Sequence, residues 1–133
     1  IYYDSYEDLR NVGKYTQERS NVKIMRFEEL VLTLAEASFR TGDVATALEN
    51  LNLIAAQRGE EAYVTISLED ILNERRRELM FEGFRFDDIM RMKRDISISP
   101  NIPQPILYGA AVLAFPIPIS EINASGMTQN QGY

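Results

Sequence analysis

Two amphipathic segments separated by a three-residue turn constrain the fold of this chain more than any other feature. The first runs from Arg26 to Arg40 and the second from Val44 to about Arg58, and both carry apolar residues at helical spacing. Between them, Gly42 suits the left-handed residue that ends a helix, and Asp43 suits the N-cap of the next. Because so short a turn makes neighbouring helices antiparallel, the sequence predicts a helical hairpin.

Each predicted helix has an apolar face that is expected to lie inward, and Gly59 is expected to end the second helix. Glu28, Glu29 and Glu36 are expected to lie outside that face. The small-residue rhythm resembles a single tetratricopeptide unit, and such units need about three copies to stack stably, so a further helix must cover the hairpin. The residues expected to face inward are Phe27, Leu30, Val31, Leu34, Ala35, Ala37 and Ser38, followed by Val44, Ala47, Leu48, Leu51, Ile54 and Ala55.

That further helix is predicted to begin at Ser67. The spacing of Ser67 and Asp70 is that of a capping box, in which each side chain binds the other residue's backbone N–H. Gly83 is expected to end or bend this helix, leaving residues 84–94 as a second short helix. The apolar stripe along the two is expected to be Ile71, Leu72, Leu79, Phe86, Ile89 and Met90.

One position in this stripe must be filled by an arginine, either Arg75 or Arg76. Three glutamates, Glu74, Glu78 and Glu82, stand at i, i+4 spacing around it and would repel one another unless cations lay between them. Two interpretations remain open. The charges can form a solvated ladder worth a few tenths of a kcal/mol per pair. Alternatively, they form a partly buried lattice of arginine and glutamate that fixes the helix against its neighbours, since a buried charge needs a partner.

Composition excludes several classes of function. The sequence has no cysteine and no histidine, so it lacks the residues of thiolate metal sites and the commonest general base. A net charge of −6 argues against a nucleic-acid partner. The carboxylates Glu74, Glu78 and Glu82 are poor general acids, because interleaved arginines hold them ionised. We therefore predict no enzyme, and no catalytic, cofactor-binding or metal-binding residue.

The helical core, residues 26–94, is predicted to lie between an irregular lead-in, residues 1–25, and an irregular proline-rich C-terminal segment, residues 95–133. We expect all three to form a single all-α domain that is a fragment of a longer protein. No run of eighteen apolar residues is present to span a membrane. Exposed tyrosines are candidate platforms for sugars, although packing against the domain is the commoner role of such residues. The candidates are Tyr2, Tyr3, Tyr6, Tyr15 and Tyr108.

Four motifs, taken in order, resemble the C-terminal portion of the SusD/RagB family. The first two are Arg26-Phe-Glu-Glu-Leu-Val-Leu-Thr-Leu-Ala-Glu-Ala37 and Glu74-Arg-Arg-Arg-Glu-Leu-Met-Phe-Glu-Gly-Phe-Arg-Phe-Asp-Asp-Ile-Met-Arg91. They are followed by Leu113-Ala-Phe-Pro-Ile-Pro-Ile-Ser-Glu-Ile122 and the ending Gln129-Asn-Gln-Gly-Tyr133. Each motif alone is a weak signal, but their order and spacing together are specific.

The resemblance implies an α-helical protein built on tetratricopeptide-like hairpins, held at the outer face of a Bacteroidetes outer membrane by a lipid anchor outside this chain. It implies non-catalytic capture of glycans or other nutrients, which pass to a SusC-like TonB-dependent transporter. The matched motifs are scaffold motifs, so the ligand-binding residues stay unknown. The alternative is a tetratricopeptide-like protein-interaction module with no ligand site of its own.

Overall fold

The computed structural model describes residues 24–133, and within them every regular element is helical. The predicted all-α class is confirmed. The described residues fall into two compact units, 24–75 and 76–133, and the prediction of one domain stays a prediction. The lead-in and its tyrosines, Tyr2, Tyr3, Tyr6 and Tyr15, lie outside the described residues. The helices are α1 (Phe27–Thr41), α2 (Val44–Arg58), α3 (Leu68–Glu78), α4 (Phe84–Arg91) and α5 (Ile119–Ser125), with a 3-10 turn at Ala111–Leu113.

The predicted hairpin of α1 and α2 is confirmed, including the chemistry of its turn. Gly42 ends α1 in the left-handed region at φ 91°, a conformation that costs glycine little because it has no Cβ. Asp43 caps α2 by accepting a hydrogen bond from the backbone N–H of Thr46 at 3.1 Å. A hydrogen bond with the Thr46 side chain and this backbone hydrogen bond lower the pKa of the Asp43 carboxyl below its ordinary value, because both favour the ionised form. Gly59 ends α2 as expected, at φ 73°.

The core of the first unit lies between the hairpin and the start of α3. Ile71, from the first turn of α3, is fully buried in it, so the predicted third helix contributes to this core. The capping box at the start of α3 also forms: the Asp70 carboxylate accepts from the Ser67 N–H at 2.8 Å, and the Ser67 hydroxyl accepts from the Asp70 N–H at 3.3 Å. The buried cluster is Val31, Leu32, Ala35, Ala47, Leu51, Ile54 and Ile71, with Phe39, Tyr63 and Ile66 packed against it.

The predicted inward face of α1 is partly wrong. Phe27, Leu30, Leu34 and Ala37 are exposed, whereas Leu32, which was not predicted, is completely buried. The apolar arc of α1 is wider than the roughly 100° that one neighbouring layer covers, and the core takes only the side centred on Val31 and Ala35. Glu36, which was expected to lie outside the apolar face, is buried. Val44 and Phe86, which were expected to face inward, are about half exposed.

The segment after α3 breaks earlier than predicted, and α4 is shorter. Helix α3 ends at Glu78, five residues before Gly83, and Phe81 takes a left-handed φ of 66° in the turn between. Helix α4 ends at Arg91 and not at residue 94, because Lys93 is also left-handed, at φ 52°. The N–H groups of Lys93 and Arg94 then donate back into the helix end, which satisfies carbonyls that have no partner within α4.

Candidate functional site

Tyr108 is the one predicted sugar platform that falls among the described residues. It lies at the end of a loop in the second unit that backbone hydrogen bonds hold closed. Ile96 and Ile106 exchange two backbone hydrogen bonds of 2.9 and 3.0 Å, which hold the two ends of the loop next to each other. Further in, Ser99 and Ile102 exchange two more at 2.9 Å. Four backbone hydrogen bonds therefore hold a loop whose prolines prevent it from forming a helix.

Asp95 ties the end of this loop to its beginning. Its carboxylate oxygen Oδ1 accepts the backbone N–H of Tyr108 at 2.7 Å, next to the Ile96–Ile106 bridge. Tyr108 is 46% exposed, and Leu107 and Ile98 on the same loop are exposed still further. We name this set, Asp95, Ile98, Leu107 and Tyr108, the loop surface.

The loop surface has the chemical parts of a sugar contact. The ring of Tyr108 offers an apolar face for the C–H side of a pyranose, and its hydroxyl can both donate and accept. Within the part of the chain that the structure describes, no hydrogen bond is made by the Asp95 oxygen Oδ2, which can accept from a sugar hydroxyl. The sequence pointed to Tyr108, whereas Asp95 was missed because its role depends on loop closure.

The glutamates and arginines of α3 form a structural cluster and not a reaction centre. Glu74, Arg75 and Glu78 are all buried, while Arg76 is exposed, so the partly buried lattice is the interpretation that the structure favours. The Arg75 guanidinium donates to the Thr33 hydroxyl on α1 at 3.2 Å.

The carboxylate of Glu74 receives a hydrogen bond in the same way. The Tyr63 hydroxyl donates to it at 3.2 Å. Tyr63 is itself held by the Asn52 side chain, whose amide oxygen accepts the Tyr63 N–H at 2.7 Å and whose amide nitrogen donates to the Tyr63 carbonyl at 3.0 Å. These bonds fix the connection between α2 and α3 and leave Glu74 poorly placed to donate a proton to a substrate.

A positive region lies near the start of α4 in the second unit. Burial lowers the pKa of Arg85, and the positive charges of Arg76 and Arg94 lower it further, while the negative charge of Asp88 acts in the opposite direction. The guanidinium stays charged at any physiological pH, because an arginine pKa starts so high. Asp88 also pairs with Arg91 at 2.8 Å, so acidic charge is mixed with the arginines here.

The C-terminal residues hold the Phe-Pro-Ile-Pro segment by side-chain hydrogen bonds, a feature that sequence reasoning missed. The Gln129 amide accepts the Ile117 N–H at 2.8 Å and donates to the Ile117 carbonyl at 2.9 Å, as a neighbouring strand would. Asn130 donates to the Phe115 carbonyl at 2.8 Å, and the Tyr133 hydroxyl donates to the Ala114 carbonyl at 2.8 Å. The amide-rich composition of the tail was the available signal. The Phe115 ring stays 94% exposed on this fixed backbone.

The described residues offer neither a metal-binding group nor a helix that could span a membrane. Residues 24–133 contain no group of three or more acidic, histidine or cysteine side chains placed to hold a metal ion. Over the same range, no helix combines the length and the apolar character that crossing a membrane requires.

Comparison with known proteins identifies the family. The model of the SusD family matches residues 6–133. The starch-binding protein SusD of Bacteroides thetaiotaomicron is 30% identical over 134 residues, which cover 95% of this chain and 24% of that protein. A crystal structure from Bacteroides vulgatus has a TM-score of 0.73 and 30% identity, covering 88% of this chain and 31% of the other.

A second solved structure, surface glycan-binding protein A from Bacteroides uniformis, has a TM-score of 0.69 at 25% identity, covering 79% of this chain and 26% of that one. This chain thus spans about a quarter of the length of the curated relative that it matches. The helical hairpin, the motif around α3 and α4 and the C-terminal motif all fall inside the matched range. The chain belongs to the SusD family.

Proposed function

We propose that this chain is the scaffold part of a non-catalytic glycan-capture protein at the cell surface. The match of residues 6–133 to the SusD family carries the proposal, since members of this family bind glycans without catalysing a reaction. Two of the similar proteins are named as a starch-binding protein and a surface glycan-binding protein. The helical hairpin and the charged lattice of α3 supply a rigid frame, and the loop surface supplies the candidate contact.

Binding at the loop surface would rest on stacking and hydrogen bonds alone. The Tyr108 ring packs against a sugar face, and the Asp95 carboxylate accepts from a hydroxyl at its edge. The loop is closed before the ligand arrives, so little conformational entropy is lost on binding. A single platform of this size supports weak binding, and we expect most of the affinity to come from the rest of a longer protein.

The partner and location follow from the same proposal. The captured glycan or other nutrient passes to a SusC-like TonB-dependent transporter, and a lipid anchor outside this chain holds the protein at the outer membrane. The resemblance of the scaffold motifs supports both statements. A pull-down with such a transporter, in the presence and absence of glycan, tests the partnership directly.

Titration with a maltooligosaccharide, followed by calorimetry, tests the loop surface. Tyr108→Ala should weaken binding roughly threefold to tenfold, because losing one aromatic contact costs about 0.5–1.5 kcal/mol. Tyr108→Phe keeps the ring and should retain most of the affinity. Phe115→Ala is the matched control, since it removes an exposed aromatic side chain that lies outside the loop surface.

Unchanged affinity in Tyr108→Ala would remove the loop surface as the contact while leaving the family assignment intact.

The second candidate function, a protein-interaction module with no ligand site of its own, is favoured by the apolar side chains that α1 exposes. It would be the better description if the protein bound the transporter and ignored every glycan tested.

A further inference from the structure

Three arginines of the second unit lie around helix α4. Arg76 stands near the end of α3, Arg85 lies in the first turn of α4, and Arg94 follows just beyond its end. The backbone N–H of Arg94 donates to the Ile89 carbonyl at 3.1 Å, which fixes this residue against the end of the helix. Burial lowers the pKa of Arg85, and the positive charges of Arg76 and Arg94 lower it further, so Arg85 lies within electrostatic range of both. We name these three residues the arginine cluster.

The arginine cluster is accessible to solvent and only partly neutralised. Arg76 and Arg85 are exposed, and neither forms a salt bridge with a residue that the structure describes. The nearby Asp88 carboxylate already pairs with Arg91 at 2.8 Å, and Asp87, two positions from Arg85, lies on a different side of the helix. Like charges that are held together repel one another. An anion bound among the arginines would remove this repulsion.

The guanidinium group determines which anions the cluster can hold. It presents its N–H donors in a planar fork that matches two oxygens of a carboxylate or a sulfate group. It also stays charged at any physiological pH, so binding does not depend on a titration of the protein. The chain as a whole carries a net charge of −6, so an anion is attracted only where positive charge is concentrated. The cluster therefore suits a single anionic group more than a long polyanion.

The arginine cluster adjoins the loop surface in the same compact unit. Arg94 immediately precedes Asp95, whose carboxylate accepts the Tyr108 N–H at 2.7 Å. The negative charge of Asp95 repels a second anionic group, which directs the charged end of a ligand towards the arginines. We propose that the arginine cluster binds the carboxylate or sulfate group of an acidic glycan whose neutral sugar rings lie against the loop surface. This inference rests on the proposed glycan capture and names the class of glycan.

Calorimetric titration of this chain with three matched ligands tests the proposal. The ligands are maltotriose, maltotriose with a glucuronate in place of its terminal glucose, and maltotriose with a sulfate on that same glucose. At an ionic strength of about 0.01 M, at least one charged ligand should bind roughly fivefold more tightly than maltotriose, which is the strength of one good exposed ion pair. The gain should shrink at about 0.15 M, because salt screens exposed charges. The charged ligand with the larger gain identifies the anionic group.

Substitutions within the cluster assign this gain to its arginines. Arg85→Gln should reduce the ratio of charged to neutral affinity to about twofold or less, because it removes one of the positive charges. Arg76→Gln should lower the same ratio, and this second exposed position keeps the test decisive if Arg85→Gln fails to fold. Arg58→Gln is the matched control. It makes the same change in net charge on α2 of the first unit, where Arg58 lies 3.6 Å from Glu28, and it should keep the full gain.

The arginine cluster and the loop surface fail in different ways. Wild-type protein that bound neither charged ligand more tightly than maltotriose would overturn the role of the cluster. A gain that survived in both Arg85→Gln and Arg76→Gln, or that fell equally in Arg58→Gln, would also overturn it, since the effect would then come from overall charge. If Tyr108→Ala left the maltotriose affinity unchanged while the charged ligands kept their gain, the loop surface would fail and the arginine cluster would stand.

Discussion

Arg75 and Arg76 are adjacent in sequence, yet the fold gives them opposite surroundings. Arg75 keeps only 7% of its surface exposed and donates to the Thr33 hydroxyl, whereas Arg76 is exposed to solvent. On the same helix, Glu74 and Glu78 are also buried. Arg75 therefore supplies a positive charge where α3 buries two negative ones.

Replacing Arg75 should destabilise the protein far more than replacing its neighbour. We expect Arg75→Ala to lower the free energy of unfolding by about 3 kcal/mol, because it leaves buried carboxylates with one cation fewer. Arg76→Ala should cost less than about 1 kcal/mol, as is usual for an exposed charge. Urea denaturation of the two variants measures both values. Similar small losses for both would mean that the α3 cluster behaves as a solvated ladder.

At the scale of elements, caps and turns determine where each helix starts and stops. Asp43 caps α2, the Ser67–Asp70 box caps α3, and Gly42 and Gly59 end α1 and α2 in left-handed conformations. These interactions join residues no more than a few positions apart. They depend little on the remaining fold, which is why the hairpin was predictable almost to the residue.

The cap at Asp43 should make the stability of the hairpin depend on pH. The folded-state pKa of Asp43 lies below its ordinary value of 3.8, so the cap stabilises the protein above that value and the effect fades as the pH falls through the folded pKa. The Tm difference between the wild type and Asp43→Ala should therefore be constant near neutral pH. It should shrink as the pH falls through the folded-state pKa of Asp43.

Asp43→Asn is the control for this measurement, because asparagine caps a helix well but does not titrate. Its Tm advantage over Asp43→Ala should persist at low pH. Scanning calorimetry between about pH 2 and about pH 7, a range that brackets the titration of an aspartate, provides the comparison. A wild-type advantage that survived unchanged at the acid end would contradict the assigned role of the carboxylate.

At the scale of the whole molecule, residues 24–133 are mainly helical and bury several carboxylates. Its buried carboxylates accept hydrogen bonds or pair with arginine, as Glu74 does with Tyr63 and Glu36 with Arg40, whose side chains lie 2.8 Å apart. A general acid needs access to its substrate, and these two carboxylates are buried and already have partners within the protein.

We therefore expect the purified protein to leave oligosaccharides intact. Incubation with a maltooligosaccharide for a day, followed by chromatography, should return the substrate unchanged at any pH at which the protein is folded. Protein carrying Glu74→Gln and Glu78→Gln serves as the comparison, since contaminating hydrolase activity would be the same in both preparations. Cleavage that disappeared only in that variant would show that the α3 carboxylates are catalytic.

The loop surface could be predicted only in part. Exposure of Tyr108 follows from its place among prolines, but Asp95 becomes its neighbour through the Ile96–Ile106 bridge. The hydrogen bonds that the C-terminal residues make to the Phe-Pro-Ile-Pro segment are similar, because Gln129 reaches Ile117 across 12 positions. Side-chain contacts of this range are set by the path of the chain, and local spacing carries no information about them.

The all-α class, the bounds of the hairpin and the caps could be read from the sequence, because they depend on hydrogen bonds between residues a few positions apart. Which side of α1 enters the core, and which arginine is buried, depend instead on the three-dimensional packing. The Arg75 contact with Thr33 joins residues 42 positions apart. Burial on a helix with a wide apolar arc is decided by which neighbours pack against it, and those neighbours come from distant parts of the chain.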